Sequence, residues 1–328
     1  MHLAPIILIL AILMSPLQAF AMGKKQQNGP PAHLMGVMGD SIPSGTFADT
    51  TTSNDFLSTI PYLQETIIRS DWRDWKTLIS GIRWDAPVLI QNKPTYSWAS
   101  GERVDSHYVR LRNLIERASR GTETLNVLNV AIPGKRTEAL GKQADELVKA
   151  ALSGKYLDIT YIAIMVGSND VCKRSGPVDD EEMARNLRDA FRRLAQIRQT
   201  EPIRILVSSI PSISSLGRQE VQESITLGKF SCAFARSRIF KFCPGYTKWN
   251  STNEFEEQLA FIVGKNRVIE RAVADANSEF HNLDIHYSNR FFETEINSEL
   301  LAMDCFHPNR RGHETISSIL WDDQPWFK

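Results

Sequence analysis

The chain has 328 residues, 42% of them hydrophobic, and its 38 basic and 38 acidic side chains cancel. That length and apolar content can bury a sizeable core in one large domain or two small ones. The neutral balance excludes the basic excess that marks a nucleic-acid-binding surface. No P-loop, Gly-x-Gly-x-x-Gly, His-Glu-x-x-His or Cys-x-x-Cys occurs, and no His/Cys cluster has zinc spacing, so neither a cofactor nor a metal is expected.

The chain opens on a secretory pattern. Residues 5–13 are apolar, Ser15-Pro16 breaks the run, and Ala19-Phe20-Ala21 fits a small-x-small cleavage site before Met22. The run is short for a bilayer span, and no Cys lies close enough for lipid attachment. Residues 1–21 are therefore expected to be a cleaved signal peptide and the protein to be secreted or periplasmic. Residues 22–33 read as a flexible polar leader, and residues 34–328 as one domain without internal repeat.

Four apolar runs follow, at residues 34–38, 126–131, 159–166 and 203–210, rich in Ile, Val, Leu and Met and without alternation. That is the pattern of strands buried on both faces of a parallel sheet. Helical spacing separates or follows them. Met183, Leu187, Ala190, Phe191, Leu194 and Ile197 form one stripe, acidic at its start (residues 179–182) and basic at its end (Arg192, Arg193, Arg198), as the helix dipole favours. Phe255, Leu259, Ile262, Ile269 and Val273 form another, opened by a capping box of Ser251 and Glu254. Asn309 caps a last helix with Ile316, Ile319 and Leu320. Strands alternating with helices imply an α/β sandwich around a mainly parallel sheet.

In such sheets ligands bind beyond the carboxyl ends of the strands. Ser41, Gly134 and Asn169 each stand just past one of the runs. Ser41 is the candidate nucleophile. Its hydroxyl needs a base, and His307 is the candidate, because Asp304 three residues earlier can hold one imidazole nitrogen while the other faces Ser41. Gly134 allows close backbone approach and Asn169 offers a neutral amide, so both are candidate oxyanion donors, with the Ser41 N–H as a third. Asp40 and Asp170 read as structural, tying loops to backbone. His33, His107, His281, His286 and His313 read as ordinary surface or turn residues. No Gly-x-Ser-x-Gly elbow exists, which disfavours the α/β-hydrolase fold.

Gly39-Asp40-Ser41-Ile42, residues 129–134 (Asn-Val-Ala-Ile-Pro-Gly), Gly167-Ser168-Asn169-Asp170 and Asp304-Cys305-Phe306-His307 together resemble the four blocks of the SGNH (GDSL-type) hydrolases. The resemblance implies a three-layer α/β/α, flavodoxin-like fold on a five-stranded parallel sheet and ester hydrolysis without metal or other cofactor, with Ser41, Gly134, Asn169 and His307 in the four naming positions and Asp304 as the triad acid. Ser97-Trp98-Ala99-Ser100-Gly101, together with the third and fourth blocks, is similar to the phospholipase B-like branch, although Ser168 departs from its usual Gly or Asn. That implies a lipid or other small-molecule ester as substrate and transient contact with a membrane surface. A polysaccharide O-deacetylase, or a non-catalytic module binding glycan or lipid, is the alternative. The oligomeric state is left open.

Four of the seven Trp, at 72, 75, 84 and 98, fall on the long connection after Ser41, either as an acyl-binding wall or as packing for that excursion. The four Cys of the mature chain allow three disulfide connectivities. Cys232 and Cys243, close in sequence before Pro244-Gly245, are expected to pair, which leaves Cys172 with Cys305.

Overall fold

Five parallel strands run side by side in the order β2-β1-β3-β4-β5, the doubly wound flavodoxin-like order. They are β1 (Ala32–Gly39), β2 (Thr124–Asn129), β3 (Ile159–Met165), β4 (Ile203–Ser208) and β5 (Leu283–Ser288). The computed structural model describes residues 29–52, 92–172 and 176–327. The expected signal peptide, most of the leader, and Trp72, Trp75 and Trp84 lie outside the described residues. All five strands and the helices packed on them belong to one compact unit, Pro31–Lys328. β1 begins at Ala32, inside the stretch read as leader, because Ala32 pairs with Thr124.

The strands lack alternation because both faces of the sheet are covered. Leu34, Met38, Ile162, Ile164, Ile205 and Val207 face one apolar cluster; Met35, Val37, Tyr161, Ala163, Met165 and Leu206 face the other. Each fully buried aliphatic side chain of this kind contributes roughly 1.5–3 kcal/mol. The first cluster is closed by α2 (Leu140–Ala151), α3 (Asp180–Leu194) and α4 (Thr252–Glu279), the second by α1 (His107–Ala118) and α5 (Arg310–Asp323). The result is a three-layer α/β/α sandwich.

Helix starts follow local chemistry. The Asp179 carboxylate accepts from the N–H groups of Glu181 and Glu182 at the head of α3, and Asn309 accepts from Gly312 at the head of α5. Ser251 accepts from Glu254 N–H at α4, whereas the Glu254 carboxylate accepts from Asn250 N–H, one residue before the partner of an ideal capping box.

Two expectations need correction, and the open choice for Trp98 falls to packing. The disulfides are Cys172–Cys243 and Cys232–Cys305, not Cys232–Cys243 and Cys172–Cys305. The two neighbouring cysteines face different partners. Cys232 opens a short helical turn packed on the residue 302–305 loop, while Cys243 belongs to the core cluster against which Cys172 packs. His107 and His313 are fully buried rather than superficial. Desolvation drives both imidazoles down to about 3, so they stay neutral; His107 bridges the Tyr161 hydroxyl and the Ser317 carbonyl, and His313 Nδ1 accepts from Trp98 N–H. Trp98 is packed into the core, edge-on to His107, and forms no acyl wall.

Candidate active site

The nucleophile turn grows directly out of β1. Gly39 sits at φ 131, where a Cβ would lie 1.8 Å from the Met165 carbonyl oxygen, so only glycine lets β1 leave the sheet here beside β3. Gln143 on α2 brackets this peptide, accepting from Gly39 N–H at 2.7 Å and donating to its carbonyl at 2.9 Å. Asp40 Oδ1 accepts from Ile42 N–H. The Pro43 carbonyl accepts from Ser97 Oγ and from Asn129 Nδ2, and Asn129 also donates to Ser100 Oγ. Ser41 is thus fixed by α2, by the end of β2 and by the Ser97–Ser100 turn. It is 7% exposed.

Ser41 Oγ lies 2.8 Å from His307 Nε2, and His307 Nδ1 lies 2.5 Å from Asp304 Oδ2. The other Asp304 oxygen accepts from the N–H groups of Phe306 and His307, each at 3.0 Å. With Asp304 fully buried and His307 5% exposed, the carboxylate fixes the imidazole and leaves Nε2 able to take the serine proton. Phe47, Phe242 and Phe306 surround the imidazole with ring centroids at 5.7, 5.4 and 5.1 Å.

Gly134 and Asn169 stand beyond the ends of β2 and β3 and line the same cleft of about 350 Å³ as Ser41 and His307. Their loops are knotted together. Asn169 Nδ2 donates to the Lys135 carbonyl at 2.9 Å, which leaves its second N–H free to donate. Asp170 accepts from both the N–H and the hydroxyl of Thr137. Gly134 is left-handed at φ 71. Among the described residues, the N–H groups of Ser41 and Gly134 donate to no protein acceptor. Two backbone donors and one amide are therefore available to a developing oxyanion.

The sequence profile of the GDSL-like lipase/acylhydrolase family matches residues 35–320. The chain belongs to this family of ester-hydrolysing serine hydrolases. Among curated proteins none matches. Among solved structures, this acylhydrolase is similar to an acetylxylan esterase from Geobacillus stearothermophilus (14% identity, 91% of this chain and 98% of that one, TM-score 0.44). It is also similar to the psychrotrophic esterase EstA from a Pseudoalteromonas species (12% identity, 88% and 95%, TM-score 0.41) and to a lipase/acylhydrolase from Enterococcus faecalis (14%, 88% and 94%, TM-score 0.39).

Strain concentrates around the acylhydrolase's cleft. Among the described residues six non-glycine residues have positive φ. Phe47, Lys241 and Cys243 line the cleft and Cys305 sits inside the triad turn. Left-handed geometry costs such residues roughly 1–2 kcal/mol each and persists only where the surroundings over-determine it. The two disulfides do this for Cys243 and Cys305. Burial pushes the Asp40 carboxyl up to about 7, only partly offset by the Ile42 N–H, and likewise raises Asp170 against the hydrogen bonds from Thr137. Both stay structural in geometry. Among the described residues no group of three or more His, Cys, Asp or Glu is arranged to hold a metal ion.

Four further residues support this site: Gln143, Ser97, Thr137 and Arg236. Only Ser97 carries a signal in the sequence, as the first residue of the Ser97–Gly101 motif. The others are ordinary polar residues on helices and loops, and only their long-range partners give them meaning.

Proposed function

We propose that this acylhydrolase cleaves lipid acyl esters through a covalent acyl-enzyme on Ser41. His307 takes the serine proton as Oγ attacks the ester carbonyl, and Asp304 holds the tautomer and balances the imidazolium. The N–H groups of Ser41 and Gly134 and the Asn169 amide receive the oxyanion. His307 then protonates the leaving alcohol, and water repeats the sequence on the acyl-enzyme.

The observation behind the lipid assignment is the lining of the cleft. Its walls are Phe47, Phe242, Phe306, Pro133, Pro244 and the Cys172–Cys243 disulfide, and among the described residues that line it Lys241 is the one Lys, Arg, Asp or Glu. An apolar wall suits an acyl chain, and one cation at the rim suits a leaving group carrying a phosphate. A narrow apolar crevice beyond Phe306, lined by Ile42, Pro308 and Ile316, extends that character. The motif similarity to the phospholipase B-like branch agrees. Two disulfides support export of the protein.

Initial rates on nitrophenyl esters of increasing chain length, wild type beside Ser41→Ala, test this reading. Each methylene buried in the cleft adds up to ~0.8 kcal/mol, roughly fourfold in kcat/KM, until the cleft is full. Medium and long esters are expected to exceed acetyl esters, and fatty acid is expected from phospholipid or lysophospholipid vesicles. A steep preference for acetyl over octanoyl esters, with acetate released from acetylated glycan, would replace the lipid assignment by a carbohydrate deacetylase.

A further inference from the structure

Among the described residues Arg236 is the only buried arginine, 2% exposed. It lies on the π-helical segment Ala235–Phe240, four residues after Cys232. Nη1 donates to the Cys305 carbonyl at 3.0 Å and Nη2 to the Leu216 carbonyl at 2.6 Å. No carboxylate stands at contact distance among the described residues, and the acid whose field reaches it is Asp304. A buried cation without a contact partner is expensive to keep. Desolvation pulls this guanidinium down to about 10, and the Asp304 charge works in the opposite direction.

Its place relative to the triad gives that burial a purpose. Cys305 is the residue after Asp304 and two before His307, in left-handed geometry. Its sulfur is tied to Cys232 and its carbonyl to Arg236, both on the same short segment of chain. The turn is therefore clamped on two sides, once covalently and once by a charged donor.

We propose that Arg236 is a positioning residue for the Asp304–His307 pair, clamping the Cys305 carbonyl and placing a fixed positive charge on the Asp304 side of the pair. The inference rests on the triad reading above. A fixed cation beside an imidazole disfavours its protonated form, so removal of the Arg236 charge is read in the acid limb of the pH profile. The other groups around His307 are Asp304 at Nδ1 and Ser41 at Nε2, and the Asp40 carboxyl from the nucleophile turn with Asp170 beyond it. Buried, neutral His313 faces it from α5, and Lys241 lies on the cleft. None of them is a buried cation.

The test uses the full-length, oxidised protein, with kcat/KM followed against pH on one short-chain ester, beside thermal melting and an NMR titration of the His307 ring. In Arg236→Met the acid limb is expected to move to higher pH by about half a unit or more. The plateau kcat should fall about tenfold or more with KM within about twofold, as for an interaction that serves the transition state. Arg236→Lys should restore the acid limb but only part of kcat, because an ammonium cannot span two carbonyls as the guanidinium fork does. Variants that lower the melting temperature and leave the acid limb where it was would reduce Arg236 to a structural bond and overturn the proposal. If Arg236→Met does not fold, Arg236→Gln removes the charge while keeping a donor, and the same readings apply. The ring titration needs no turnover. A wild type without Ser41-dependent hydrolysis would sink the enzyme mechanism alone, whereas an unmoved His307 titration in Arg236→Gln sinks this inference by itself.

Discussion

The two halves of the site are built in different ways. Ser41, Gly134 and Asn169 stand on the ends of β1, β2 and β3, and hydrogen bonds from Gln143, Asn129, Ser97 and Thr137 hold their loops. Asp304 and His307 stand on a turn outside the sheet, held by the Cys232–Cys305 bridge, the Arg236 clamp and a ring of phenylalanines. The first half inherits its geometry from a packed core. The second packs on a separate, smaller cluster that includes Phe47, Phe230, Ala235, Ala302 and Met303, and cross-links fasten it there. A parallel sheet positions what emerges from its strands, and anything that must reach in from elsewhere needs a separate brace.

The largest effects should ignore this division, because the triad acts as a unit. Ser41→Ala and His307→Ala are each expected to remove nearly all hydrolysis with the melting temperature little changed. Asp304→Asn should lower kcat by about 10⁴ by presenting the wrong tautomer. Adding Asp304→Asn to Ser41→Ala should lower the residual rate no further. Full activity in folded Ser41→Ala would end the triad reading. On the sheet half, Asn169→Ala should cost roughly 10²–10³ in kcat, and a loss confined to KM would remove Asn169 from the oxyanion hole.

The braces are the place where the halves should part company. Replacing Cys232 and Cys305 together by Ser is expected to destabilise by roughly 2–4 kcal/mol, as read by urea melts. It should also lower kcat more than the Cys172/Cys243 double variant does, because only the first pair holds the triad turn. Equal kcat losses would mean that the turn needs no brace of its own.

The smallest expected effect lies away from the site, at the start of β1. His33 Nδ1 meets Asp158 at 2.7 Å and Nε2 meets Glu123 at 3.1 Å. Burial alone would lower this imidazole, but the hydrogen bonds and charges of Asp158 and Glu123 outweigh it and raise the pKa above 6.5. The stabilisation is then fully present below the unfolded value and disappears as pH rises through the folded one. The melting-temperature gap between wild type and His33→Gln should shrink from pH 5 to pH 9, with activity at the site unaffected. A gap that widens with pH would reverse the assignment.

What can be read from the sequence follows the same division. β1, β3 and β4 are legible because both faces of each are buried, so their composition is largely apolar, whereas β2, an edge strand in which only Leu125 is buried, shows through the apolar run that covers its second half and the loop after it. β5 is not legible, because Asp284 and His286 interrupt its apolar run. α1 and α2 escape notice, since their stripes are short and mixed with polar residues. Ser41 and the Asp304-x-x-His307 spacing are visible because the motif is local and the chemistry demands it. The disulfide pairing and the burial of His107, His313 and Arg236 are not, because each is decided by a partner 69 or more residues away in sequence. Proximity along the chain misleads the cysteine assignment for the same reason.

The Ser41–His307 hydrogen bond joins residues 266 positions apart. Synthesis therefore completes the nucleophile, both oxyanion loops and all five strands of the sheet before the base exists. A chain stopped anywhere short of residue 307 carries Ser41 without the imidazole that meets it. The Ser41–His307 contact therefore forms only after residue 307 has been made. Cys305, which fastens the triad turn to Cys232, is made just before it.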